Sequence, residues 1–275
     1  MLTDATIESW LREDVGHHDV TNQVPGETTG RLVAKESGVA AGLDGAAAVF
    51  EYLGRGGRVT VTDRVEDGTA IGAGDVVLRV EGAAREILRG ERVAVNVAGH
   101  ASGVATRTAE AVAAAREIDD EVRIACTRKT TPGLRGVEKR AVAAAGGDTH
   151  RLDLSHMVMV KDNHVAEMGL ETAVAHFRER ASFATKIEVE VEEPSDAPRA
   201  ATAGADVVLL DNMPPAETET AVDQLREADL DVIAEASGGI TVGDVRDYAA
   251  TGVDVVSMGS LTHSAPSLDY SFRTG

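Results

Sequence analysis

From Arg123 onward the chain repeats one pattern: a short apolar run, closed by a charged or small residue, then a stretch compatible with a helix. Six runs follow it, RIACT, MVMVK, KIEVEV, DVVLLD, DVIAEAS and DVVSMG. Runs of this length bounded by turn residues fit strands buried on both faces. Strands that alternate with helices join in parallel, because a crossover needs the intervening length. An echo, Gly204-Ala-Asp-Val-Val against Gly252-Val-Asp-Val-Val, supports a repeated βα unit. Every run ends in chemistry: Arg128 and Lys129, Lys161 and Asp162, Glu190, Asp211, Ser237 with Gly238 and Gly239, and Gly259. An open sheet would spread these groups along an edge, whereas a barrel gathers them at the carboxyl ends of its strands, where barrel sites lie.

The first hundred residues read differently. MLTDATIESWLREDVG fits an amphipathic helix begun at Thr3 or Asp4. Two alternations, Val59/Val61 and Val77/Leu78/Val80, are separated by DG and GAG turns and predict antiparallel sheet. LRGERVAVNVAGHASGVATRTAEAVAAAREI predicts a long helical connector. His17 and His18 lack further ligands at metal spacing and read as loop.

Charge excludes several functions. With 46 acidic against 27 basic residues the net charge is −19, which repels nucleic-acid backbones and anionic membranes. Aromatics are 3 %, too few for base-stacking platforms. The acidic surface, with lysine at only five positions, suits a salt-rich cytosol, where self-repulsion is screened over about 3 Å at 1 M salt. Cys126 stands alone in an apolar run and predicts buried filler in a reducing compartment. No run approaches the roughly 18 apolar residues of a membrane span. A soluble, cytoplasmic protein is expected.

Against this acidic background, residues 127–164 collect Arg128, Lys129, Arg135, Lys139, Arg140, Arg151 and Lys161. The period-two strand KIEVEVEEP puts Glu188, Glu190 and Glu192 on one face, with Val189 and Val191 on the other. Inward-facing glutamates need cations. Lys161, which shares a face with Met157 and Met159, is expected to answer them together with Arg128, Lys129 and Arg151, while at least one of Glu188 and Glu192 faces solvent. Glu190 and Asp211, on successive strands, could share a hydrated magnesium ion. EASGGIT and MGSLTHS each end a strand in small residues before a helix, an arrangement that can hold phosphate. The ligand expected from these residues is a polyanion containing phosphate.

The ordered motifs REDVGHHDVT, ERVAVNVAGHASGVAT, TRKTTPGLR, KRAVAAAGGDTHRLDLS, MVKDNH, EVEVE, LLDN, EASGGI and GVDVVSMGSLTHS resemble those of the quinolinate phosphoribosyltransferase family over nearly the whole chain. The chain departs modestly at Thr131, where many relatives carry Leu or another residue. The resemblance implies an α/β fold: an N-terminal α/β-sandwich domain over residues 1–104, an incomplete α/β barrel of six or seven strands over residues 105–262, and a tail, 263–275, packing back on the first domain. It implies quinolinate and phosphoribosyl pyrophosphate as ligands, with Mg2+, and a homodimer with shared sites, leaving a higher oligomer open. Arg128, Lys129, His150, Arg151 and Lys161 would line the quinolinate pocket, with Arg92 entering from a partner subunit. Glu190, Asp211, Ser237, Gly238, Gly239 and Gly259 would hold phosphoribosyl pyrophosphate, with Glu190 and Asp211 reaching the metal through water. Lys129, Lys161, Glu190 and Asp211 are the expected catalytic set. The alternatives are a homologue acting on another ring acid, a Schiff-base aldolase using Lys161, and a non-catalytic phosphometabolite-binding barrel.

Overall fold

The computed structural model describes residues 2–275. Helix α1 (Asp4–Val15) is capped by the Thr3 hydroxyl, which accepts from Thr6 N–H at 3.3 Å, and it buries Ile7 and Leu11, one turn apart. Strand β1 (Glu27–Ala34) and the short β2 (Gly38–Val39) precede α2 (Leu43–Leu53). Then follow β3 (Val59–Arg64), β4 (Ala70–Ile71) and β5 (Val76–Ala83), and a 33-residue helix, α3 (Ala84–Arg116).

The barrel elements are β6 (Arg123–Cys126), α4 (Arg135–Ala144), β7 (Val158–Val160), α5 (Asp162–Met168), α6 (Leu170–Arg180), β8 (Ile187–Val191), α7 (Ala197–Thr202), β9 (Val207–Asp211), α8 (Pro215–Glu227), β10 (Ile233–Ser237), α9 (Val245–Ala249), β11 (Val255–Met258) and α10 (Ser260–His263). Strand β12 (Tyr270–Thr274) ends the series. Two compact units emerge. One takes the chain up to Ala109 with Thr131–Gly146 and Ala265–Gly275; the other takes Glu110–Thr130 and Gly147–Ser264. The division differs from the 1–104 and 105–262 boundaries in two ways: it falls inside α3, and α4 groups with the first unit. The reason for the second is visible in buried Glu138, which bonds His100 of α3 at 2.8 Å and accepts from Thr131 N–H.

In the first unit the strands run β12-β1-β5-β3, with antiparallel pairing throughout. Leu32, Leu78 and Val80 on the sheet and Phe50 on α2 share one core with Ile87 and Ala94 of α3. Each large side chain so buried contributes roughly 1.5–3 kcal/mol. Phe272 of β12 stacks on Phe50 with ring centroids 5.5 Å apart. Gly30 makes room for it, because a β-carbon there would stand 2.4 Å from Phe272 Cζ.

In the second unit all six expected strands form one parallel sheet, ordered β6-β11-β10-β9-β8-β7. The sequence runs outward from β7 to β11, and β11 then pairs with β6, so the sheet wraps but does not close between β6 and β7. The free edge of β6 takes a stub instead: Asp148 N–H donates to Ile124 O at 2.7 Å and Cys126 N–H donates to Asp148 O at 3.0 Å. His17 and His18 are exposed, and Cys126 is buried. Among the described residues no helix is long and apolar enough to cross a membrane.

Candidate active site

The stub at Asp148 positions the residues that follow it. His150 takes a left-handed backbone, φ 48°, with its N–H donating to Asp148 Oδ1 at 2.6 Å. Its Nε2 lies 3.1 Å from Glu235 Oε2 and 3.5 Å from Glu188 Oε1. The acid and imidazole atoms of this trio all lie within 4.8 Å of one another. Burial alone would lower the imidazole's pKa, but hydrogen bonds and charge from Glu188 and Glu235 outweigh it and raise the value to about 10. Burial pushes the Glu188 carboxyl up, against the pull of His150.

Arg151 is buried, and its guanidinium reaches Met159 Sδ at 3.1 Å. Burial depresses its pKa, and the neighbouring positive charge of Arg128 depresses it further, while Glu188 and Glu190 oppose both. The Nε atoms of Arg128 and Arg151 are buried without a hydrogen-bond partner. Two like charges close enough to influence each other, with unused donors, are chemically suited to receive an anion.

Burial sorts the three glutamates of KIEVEVEEP, two within β8 and Glu192 just beyond its end. Glu188 is fully buried, Glu190 is largely covered and Glu192 is exposed. Lys161, at the end of β7, pairs with Glu190. The KDNH motif fixes that lysine's backbone, since Lys161 N–H donates to His164 Nδ1 at 3.0 Å as α5 begins. Register sets Glu190 opposite Leu209, so Asp211 stands two residues further toward the carboxyl ends. Asp211 is half-buried and accepts from Asn212 Nδ2 at 2.6 Å. These hard oxygens on adjacent strands fit a water-mediated magnesium ion better than a closed protein cage, because Glu190 is already engaged by Lys161.

At the ends of β10 and β11, Ser237 Oγ and Ser257 Oγ lie 2.9 Å apart, and Ser260 Oγ donates to Ile240 O at 3.1 Å. Gly238 and Gly239 have φ of +99° and +65°. The helices that follow are short, five residues in α9 and four in α10. Helices this short add little dipole to the arrangement expected from EASGGIT and MGSLTHS, which leaves the free backbone N–H groups of the glycine turn as the donors available to an anion. Gly259 sits against Lys129, because a β-carbon there would meet Lys129 Cδ at 3.0 Å. Thr262 Oγ1 donates to Lys129 O at 2.7 Å and holds that loop in place.

The second unit thus carries Arg128, Lys129, His150, Arg151, Lys161, Glu190, Asp211, Ser237, Gly238, Gly239 and Gly259, and the last seven of these lie at or just beyond strand ends. Arg92 is exposed on α3 in the first unit. Sequence reasoning missed Glu235 and Asp148. Glu235 could have been found from alternation, since it shares a face with Ser237 in IAEAS; Asp148 gives no such signal. A cavity of about 740 Å³ opens at the opposite, amino-terminal ends of the strands, between Arg123, Lys186, Val207, Ile233 and Val255, and it reaches His150 and Glu235 from below.

Comparison with known proteins agrees with the fold. The family model described as quinolinate phosphoribosyl transferase matches by its N-terminal domain over residues 18–102 and by its C-terminal domain over residues 104–273. The chain is 44 % identical to a probable nicotinate-nucleotide pyrophosphorylase (carboxylating) of Methanothermobacter thermautotrophicus, with 97 % of each chain covered. It is 42 % identical to the human nicotinate-nucleotide pyrophosphorylase (carboxylating), covering 98 % of this chain and 90 % of the human one. The crystal structure of NadC from Streptococcus pyogenes superposes with a TM-score of 0.91 at 40 % identity, over 99 % of this chain and 97 % of the other. With both domains matched and full-length relatives above 40 % identity, the chain belongs to the quinolinate phosphoribosyltransferase family.

Proposed function

We propose that this chain transfers the phosphoribosyl group of phosphoribosyl pyrophosphate to quinolinate, giving nicotinate mononucleotide, pyrophosphate and carbon dioxide, a step of NAD biosynthesis. The observation that carries this reading is the pairing of Arg128 with Arg151, whose buried Nε donors have no partner. A ring with adjacent carboxylates answers both. Each hydrogen bond between charged groups contributes roughly 1.5–3 kcal/mol, so a monocarboxylate such as nicotinate would leave donors unpaired and react poorly.

In this reading the pyridine nitrogen attacks the anomeric carbon as the bond to pyrophosphate breaks. Positive charge grows on the ribose during that step, and the Glu190 and Asp211 carboxylates oppose it. The positive pyridinium nitrogen then stabilises the electron pair left on the adjacent carbon when its carboxylate departs as carbon dioxide, and that pair takes up a proton. Lys161, paired with Glu190, belongs to the ribose and ring side; Lys129, whose stem lies against Gly259, belongs to the phosphate side. Asp211 and Glu190 would hold a magnesium ion through water, and that ion would supply positive charge to the leaving pyrophosphate. Ser237, Gly238, Gly239 and Gly259 bind the 5-phosphate.

Arg92 is, in the same reading, donated by a second copy of the chain, which makes a cytoplasmic homodimer the working form. Mixing Arg92→Ala with Lys161→Ala subunits should restore activity at some shared sites. The primary assay incubates the protein with quinolinate, phosphoribosyl pyrophosphate and magnesium in high-potassium buffer. Nicotinate mononucleotide and carbon dioxide should appear in equal amounts, and absence of both from folded protein would overturn the assignment.

A further inference from the structure

Two glutamates outside the expected ligand set occupy the barrel interior, Glu188 on β8 and Glu235 on β10. They are 0 % and 2 % exposed. Isolated carboxylates at such positions are strongly disfavoured, so each needs a fixed positive partner. His150 stands between them, 3.1 Å from Glu235 Oε2 and 3.5 Å from Glu188 Oε1. Arg151, the next residue in the chain, is itself buried, and its charge is drawn toward Glu188 and Glu190. The interior therefore balances two acids against two successive cations, and those cations are the ones assigned to the ligand's carboxylates.

We propose that Glu188 and Glu235 are positioning residues for dicarboxylate binding: they hold His150 as an imidazolium, clamp its left-handed backbone, and thereby aim Arg151 at Arg128 and the ligand. This inference rests on the quinolinate reading of the site. The clamp is geometric first. A histidine at φ 48° persists only where its surroundings over-determine it, and here Asp148 fixes the N–H while two strands fix the ring. The electrostatics agree, since the imidazole's pKa is raised to about 10 although burial opposes charge.

Among the described residues, the amino-terminal cavity that reaches His150 is also lined by the charged or titratable groups Glu121, Arg123, Asp148, His156, Lys186 and Asp254. That mixture carries no strong excess of either sign.

Two measurements separate a clamp from mere packing. The first is the titration of the His150 imidazole by NMR in the ligand-free wild type, assigned by through-bond correlation. The ring should remain protonated beyond pH 8.5, and titration near its ordinary value of about 6.5 would overturn the proposal. The second is Glu235→Gln, with Glu188→Gln as the companion should the first variant fail to fold. The KM for quinolinate should rise roughly tenfold to a hundredfold at pH 8, the loss of one charged hydrogen bond, and much less at pH 6, where an unclamped imidazole is still protonated. The KM for phosphoribosyl pyrophosphate should move far less. A rise in quinolinate KM that is equal at both pH values, or a fall in kcat alone, would refute the clamp. If neither variant folds, the wild-type titration decides. If the wild type proves inactive with quinolinate, the substrate reading fails, while the titration still reports on the clamp.

Discussion

At Gly238 a single methyl group should do more damage than its size suggests. A β-carbon there would stand 2.4 Å from Asn212 Oδ1 and 2.6 Å from Asn212 N. Asn212 has little room to retreat. Its N–H donates to Ser237 O at 2.9 Å, its Nδ2 donates to Asp211 at 2.6 Å, and its own φ is already 56°. Placing alanine at the Gly238 φ of +99° costs about 1–3 kcal/mol, and overpacking adds about 1–3 kcal/mol. Gly238→Ala should therefore lose about 2–6 kcal/mol, which lowers Tm by roughly 5–20 °C. Gly239→Ala is the control: at φ +65°, with nothing within 4 Å of its β-carbon, it bears the conformational cost alone. Thermal melts of both variants, with the KM for phosphoribosyl pyrophosphate, make the assay. Displacing Asn212 disturbs Asp211 as well as the glycine turn, so Gly238→Ala should weaken that substrate more than Gly239→Ala does. Equal melting temperatures for the two variants would refute the claim that contact with Asn212, and not glycine's freedom, dominates.

Further outcomes follow from the same structure. His100→Ala strands the fully buried Glu138 carboxylate and should remove about 2–4 kcal/mol from unfolding in urea; an unchanged midpoint would show that Thr131 N–H alone satisfies it. His150, with a pKa raised from 6.5 to about 10, contributes stability that is fully present below pH 6.5 and is lost as pH rises toward 10. Wild type should accordingly lose up to about 5 kcal/mol relative to His150→Gln over that interval, and parallel stability curves would remove the imidazolium from the account. Chelation of divalent ions should abolish turnover, and a full rate without magnesium would leave Glu190 and Asp211 with the ribose alone. Molar KCl should raise the melting temperature through screening of the −19 net charge, an effect that calorimetry would detect or exclude.

Much of the second unit was legible because a buried parallel strand writes itself as a short apolar run, and all six runs became strands in one sheet. The same periodicity sorted Glu188 and Glu190 from Val189 and Val191, and burial then left Glu192 as the solvent-facing member. What the pattern could not carry was contact across sequence distance. Glu235 sits in IAEAS like any polar interruption until His150, 85 residues earlier, is brought beside it by the Asp148 stub. The helix α4 looked like part of the barrel's alternation, yet buried Glu138 ties it to His100 in α3. EASGGIT and MGSLTHS show small residues before a helix, but not that those helices are short or that Gly238 and Gly239 adopt positive φ.

Strand β12 closes the first unit's sheet against β1, with Gly30 opposite Thr274 and Leu32 opposite Phe272. Synthesis emits β1 first and β12 last, with the entire barrel sequence in between. Until residues 265–275 leave the ribosome, one edge of β1 has no neighbour and Phe50 lacks the ring that stacks on it. An unpaired strand edge is a template for foreign strands, so the nascent chain passes through a period in which its amino-terminal half is vulnerable to aggregation. Slowed elongation through the barrel codons should lengthen that exposure and lower the soluble yield, even though no residue of the finished protein has changed.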